Sequence, residues 1–119
     1  MEFHITELHG KVIAEVTSKD QCISETQDAV DLLGNCYYLG ADRVILYQHQ
    51  LTPAFFDLKT GIAGEILQKF SNYSMKLAII GDYSAFTSQS LKDFIFESNK
   101  QGHICFVSSK EEALEKLSL

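Results

Sequence analysis

The feature that most constrains this chain is a pair of short apolar runs that do not alternate, Val44-Ile45-Leu46-Tyr47 and Leu77-Ala78-Ile79-Ile80. A strand with one wet face alternates apolar and polar residues, whereas a strand covered on both faces does not. Runs of four are also far short of the roughly 20 apolar residues that span a bilayer. Between them, Ile62, Ala63, Ile66, Leu67 and Phe70 fall on one face of a helix spanning Thr60 to Phe70. Strand, helix, strand in that order is a parallel crossover, so the centre of the fold is set before its edges are read.

The flanks extend the same pattern. Phe3 to Leu8 and Lys11 to Thr17 read as strands, with Val12, Ala14 and Val16 alternating against Ile13 and Glu15. His9-Gly10 between them has the length of a tight hairpin turn. Ser24 with Gln27 predicts a capping box, and Ala29, Leu32, Leu33 and Cys36 predict the buried face of the helix that follows, ended by Gly40. Strands are expected at Arg43 to Gln48, Met75 to Ile80 and Ile104 to Val107. A helix is expected near Ser88 to Asn99, with Leu91, Phe94, Ile95 and Ser98 inward and Gly102 past its end. A last helix uses Ala113, Leu114 and Leu117, capped by Ser108 with Glu111 or Ser109 with Glu112. The expected fold is α/β, a single compact domain over residues 1–119 in the order ββαβαβαβα. Its sheet is mixed, five-stranded and mostly parallel, flanked by helices.

Composition excludes several functions. The chain has 119 residues, 45% of them hydrophobic, and 10 Lys plus Arg against 16 Asp plus Glu. It is long enough for one domain with its own core. Nucleic-acid binding draws on a basic footprint, and here the lysines are scattered and Arg43 is the sole arginine. The three cysteines (22, 36 and 105) form no C-x-x-C, which points to free thiols in a reducing compartment. Cys36 and Cys105 fall on buried faces, and Cys22 in a polar stretch is expected to be exposed. No secretory leader precedes the first strand, and no apolar run suits a membrane span, so a cytoplasmic location is expected.

Ligands of such sheets bind beyond the carboxyl ends of the strands. The loops there run from Gln48 to Thr60, from Gly81 to Thr87, and through Ser108-Ser109. The first carries most of the candidates. Thr60 is placed to cap the helix, with Lys59 beside it, and Gly61 and Gly64 leave its first turn bare, either for an anion or for close packing on the sheet. Phe55 and Phe56 are adjacent, so one is expected in the core and the other free to meet a partner. Asp57 suits turn capping, cation binding or a base. In the second loop Asp82 follows a buried strand. His49 follows the other. No G-x-S-x-G elbow, no H-E-x-x-H and no Cys-His metal spacing occurs. No catalytic set, metal site or cofactor is therefore expected.

The segments FFDLKTGIAGEILQKFSNY, KLAIIGDYS, SLKDFIFESN and EEAL together resemble the bacterial family catalogued as domain of unknown function 4180, over nearly the whole chain from Phe3 to Leu117. That resemblance implies kinship and carries no activity. A fold-level likeness to STAS domains, the fold of anti-sigma-factor antagonists, is also present. In those domains an acidic residue and a serine-glycine pair precede a helix, and the serine is the regulatory phosphorylation site. Asp57 and Thr60-Gly61 match them, with one more residue in the spacing and threonine in place of serine. These readings lead to a small non-catalytic binding or switch module acting through a protein partner, with Phe55, Phe56 and Thr60 at the contact. The alternative is an enzyme or binding protein for an anionic metabolite that uses Asp57, Lys59, Asp82 and His49. A homodimer is a third expectation, because Tyr37, Tyr38, Tyr47, Tyr73 and Tyr83 exceed what so small a core hides.

Overall fold

The computed structural model describes all 119 residues. Strands β1 (Phe3–Leu8) and β2 (Lys11–Val16) form an antiparallel hairpin. His9 and Gly10 both take positive φ, 52° and 77°, the twist that a two-residue hairpin turn requires. Helix α1 (Thr26–Tyr38) leads to β3 (Arg43–Tyr47), α2 (Ile62–Asn72) to β4 (Lys76–Ile80), α3 (Gln89–Gln101) to β5 (Ile104–Val107), and α4 (Lys110–Leu117) closes the chain. The five strands lie in the sheet in chain order, with β2 to β5 parallel. The α/β fold and the element order agree with those expected.

Chain-order strands have a consequence. Each right-handed crossover steps to the next strand in the same direction, so its helix lands on the same face of the sheet. Helices α1, α2 and α3 accordingly share one face. A core of 23 buried residues lies there, among them Val44, Leu46, Leu77 and Ile79 from the sheet, Leu32 and Leu33 from α1, Ile66 and Phe70 from α2, and Leu91 from α3. Helix α4 makes no crossover and turns back over the opposite face. A smaller core forms under it from Ile13, Ile45, Ala78, Cys105, Ala113, Leu117 and two further side chains. This explains the unalternating runs in β3 and β4: both faces are covered.

Local ends depart from expectation by a residue or two. The cap of α1 is Glu25 and not Ser24, because Asp28, rather than Gln27, reaches back; its carboxylate accepts from the Ser24 and Glu25 N–H groups at 2.9 and 3.1 Å. Ser109 caps α4, its hydroxyl accepting from the Glu112 N–H at 3.1 Å, and Glu112 in return accepts from the Ser108 N–H. Helix α2 starts at Ile62, two residues later than Thr60, because Gly61 sits at φ 78° and cannot belong to it. Cys36 and Cys105 are buried as expected, and Cys22 is half-buried rather than exposed.

Candidate functional site

The connection from β3 to α2 is not an open loop. It is three successive 3-10 turns, Gln48–Gln50, Pro53–Phe56 and Leu58–Thr60. Gln50 anchors the first. It is fully buried, its side-chain amide donates to the Val16 and Ser18 carbonyls at 2.8 and 2.9 Å, and its side-chain oxygen accepts from the Tyr47 N–H at 2.8 Å. Every polar atom of that buried amide group has a partner, which is what makes its burial tolerable. The Gln50 carbonyl also accepts from the Cys22 and Ile23 N–H groups. The segment ahead of α1 is thereby tied to the end of β3.

These ties shape a cleft of about 540 Å³ at the carboxyl ends of β3 and β4. The end of β3 supplies Tyr47, Gln48 and His49; the connection supplies Leu51, Pro53 and Phe56; the end of β4 supplies Ile80, Gly81 and, from the loop beyond, Phe86. Gln21 completes the rim. Gly81 leaves room for the side chain of Gln48, with which a Cβ at that position would collide. That close approach lets the Gln48 side-chain oxygen accept from the Asp82 N–H at 3.1 Å. Phe56 and Phe86 stack with centroids 5.1 Å apart and planes 21° apart. Tyr47 and His49 lie at 6.0 Å.

Behind the cleft, the Tyr47 hydroxyl donates to Glu15 at 2.6 Å, and the Lys110 ammonium lies 2.9 Å from the other Glu15 oxygen. Burial pushes the Glu15 carboxyl up, but the hydrogen bonds from Tyr47 and Lys110, helped by the charges of Lys110 and His4, hold it below the ordinary carboxylate range. Burial first, and the Glu15 hydrogen bond and charge next, push the Tyr47 phenol up to about 12. At neutral pH the pair is therefore a neutral phenol on a carboxylate. Glu15, Tyr47 and Lys110 are not legible as a group in the sequence: Glu15 has the alternation of a solvated strand residue, and its partners lie on two other elements.

The structure disperses the residues singled out from the sequence. Phe55 and Phe56 are both buried, at 1% and 7% exposure, so neither offers a free aromatic to a partner. A 3-10 turn sets successive side chains about 120° apart. Phe55 thus enters the main core, while Phe56 meets Tyr83 and Phe86 of the next loop. Of the eight nominated residues, Phe56 lines the cleft, and Asp82 abuts it through its N–H on Gln48. Asp57, Lys59 and Thr60 are exposed and do not line it. The Thr60 hydroxyl lies 2.8 Å from both the Ala54 and Asp57 carbonyls and accepts from the Ile62 N–H at 3.3 Å. Gly64 is exposed, and a Cβ at Gly61 or Gly64 would meet nothing within 4 Å, so these glycines do not serve close packing on the sheet. Gly61 is there for its left-handed backbone.

The Asp82 carboxylate accepts from the N–H and hydroxyl of Ser84 at 3.0 and 2.7 Å, and these two bonds hold it below the ordinary range. It caps its own turn. No group of three or more His, Cys, Asp or Glu side chains is placed to hold a metal ion. No helix is long and apolar enough to cross a membrane. Neither a curated protein nor a solved structure matches the chain. A family does: residues 8–117 match the one described as Domain of unknown function (DUF4180), and the chain belongs to it.

Proposed function

We propose that the protein is a small non-catalytic binding module whose ligand occupies the cleft at the ends of β3 and β4. The observation that carries this reading is the cleft itself. It is about 540 Å³, within the roughly 300–1,000 Å³ usual for small-molecule sites, and it opens where parallel sheets take their ligands. Its polar groups suit holding rather than reacting. The Tyr47 phenol is committed to Glu15, and the His49 ring has no carboxylate to orient it. The anionic-metabolite alternative draws less support, since of Asp57, Lys59, Asp82 and His49 only His49 lines the cleft. A reducing bacterial cytoplasm is the setting assumed, in keeping with the three free thiols.

A second reading has its own observation. Tyr37 and Tyr38 at the end of α1 are 81% and 90% exposed, an adjacent aromatic pair of the kind enriched at protein contacts. The module then passes its state to a protein partner or a second copy through this corner. Thr60-Gly61 directly ahead of α2 supports a STAS-like regulatory reading of the same kind. A fragment screen followed by amide NMR separates the two readings. Small-molecule hits are expected to shift Gln48, His49, Gly81 and Phe86. Hits that ignore these residues and gather at Tyr37 and Tyr38 overturn the cleft as the ligand site.

A further inference from the structure

Resting on the cleft being a ligand site, we infer that its ligand is an uncharged planar heterocycle of the nucleobase class. Three observations on the lining lead there. First, the cleft carries no Lys, Arg, Asp or Glu side chain, in a protein where such residues are 22% of the chain. A charged ligand would find no opposite charge on the lining to hold it, whereas an uncharged one needs none. Second, the lining includes the rings of Tyr47 and His49, with centroids 6.0 Å apart, and of Phe86, which is itself backed by the buried Phe56 stacked against it. Aromatic faces favour flat, π-bearing ligands and tolerate any of the bases.

The third observation is the state of the two carboxamides. The Gln48 side-chain oxygen accepts from a backbone N–H, that of Asp82, so its orientation is forced and its NH2 group is left as a donor without an internal partner. Gln21 is the counterpart: its NH2 group donates to the Ser24 hydroxyl at 2.8 Å, leaving its oxygen as an acceptor. A lactam or aminopyrimidine ring carries both an acceptor and a donor on its edge, the two kinds of group that the Gln48 NH2 and the Gln21 oxygen on this lining leave to be met. Gly81 keeps this arrangement possible, since any side chain there would evict the Gln48 amide.

The test is amide NMR of the intact chain titrated with hypoxanthine and adenine, with toluene as an apolar probe and inorganic phosphate as an anionic one. Hypoxanthine or adenine is expected to shift the Gln48 side-chain amide and the His49 and Gly81 backbone. Gln48→Leu is expected to weaken that binding at least tenfold while leaving toluene unaffected. Gly81→Ala is expected to do the same by displacing the amide, and the spectrum of each variant reports whether it is folded. Toluene binding in the cleft with both bases silent overturns the heterocycle and leaves the cleft a ligand site. Phosphate shifting the same residues overturns the uncharged ligand. Silence from every probe at Gln48, His49 and Gly81 overturns the inference together with the reading it rests on.

Discussion

Arg43 is the residue least at ease in this structure. It is 7% exposed, and its Nε and Nη1 atoms are buried without a hydrogen-bond partner. The nearest carboxylate oxygen, on the solvent-facing Asp42, is 3.5 Å from Nε, too long for a strong charge-assisted bond. Its neighbours across the sheet, Ile13 and Lys76, offer no anion. Contrast Gln50, equally buried, in which each polar atom is paired. A buried charge held so loosely is a net cost, and replacing it with an apolar side chain of similar reach commonly gains about 1–4 kcal/mol. Arg43→Met is therefore expected to raise stability by an amount in that range, read from urea unfolding with an unchanged slope. A loss of stability would show that the guanidinium has a compensating interaction, such as a bridging water, that outweighs its desolvation.

At the scale of elements, Thr60 closes the β3–α2 connection. Its hydroxyl serves the Ala54 and Asp57 carbonyls and the Ile62 N–H, joining two 3-10 turns to the start of α2. Thr60→Val keeps the shape and removes the hydroxyl, and it is expected to cost about 1–2 kcal/mol, the usual worth of a cap with a supporting bond. Thr60→Glu is expected to cost more, because its carboxylate faces two carbonyl oxygens. Equal stability of both variants and the parent, by urea unfolding, would mean that the turns hold without this residue. The same connection shows where sequence reading succeeds and stops. Strands β2 to β5 and the four helices announce themselves because burial repeats with period 2 or 3.6, or persists without alternation. A single 3-10 turn is too short to repeat, so three in a row look like an open loop, and Phe55 and Phe56 look like a pair with one member to spare. The cleft was half legible for a related reason. His49 and Asp82 are marked by their place after buried strands. Gln48 and Gly81 are ordinary residues whose meaning comes only from touching each other across 33 positions of chain.

On the scale of the whole molecule, the two faces of the sheet are unequal. Three helices cover one face, while the other is held by α4 and by the Lys110–Glu15–Tyr47 contact at its start. This makes the response to acid specific. Glu15 sits below its ordinary 4.5, and His103 sits below its ordinary 6.5, pushed there by burial and then by the Lys76 charge. Both groups bind protons less readily folded than unfolded, so both stabilise the fold at higher pH. The contribution of His103 is complete above about pH 6.5 and is lost as pH falls below it; that of Glu15 is complete above about pH 4.5 and is lost further down. A general effect opposes this. The net charge of −6 shrinks on the way to the isoelectric point near 5.1, which relieves self-repulsion. The raw stability curve thus mixes two trends, and the informative quantity is the difference between variant and parent. Whatever the offset at pH 7, the parent is expected to lose stability relative to His103→Gln as pH falls through the His103 window, because protonating the half-buried ring beside Lys76 is penalised in the folded state alone. The difference between Glu15→Gln and the parent is expected to hold steady until pH drops below 4.5, then to shrink as the parent's own Glu15 carboxylate is protonated. Urea unfolding at half-unit pH steps reads both. A Glu15→Gln difference that stays constant down to the acid limit would mean that packing under α4, and not the charge on Glu15, holds the second face.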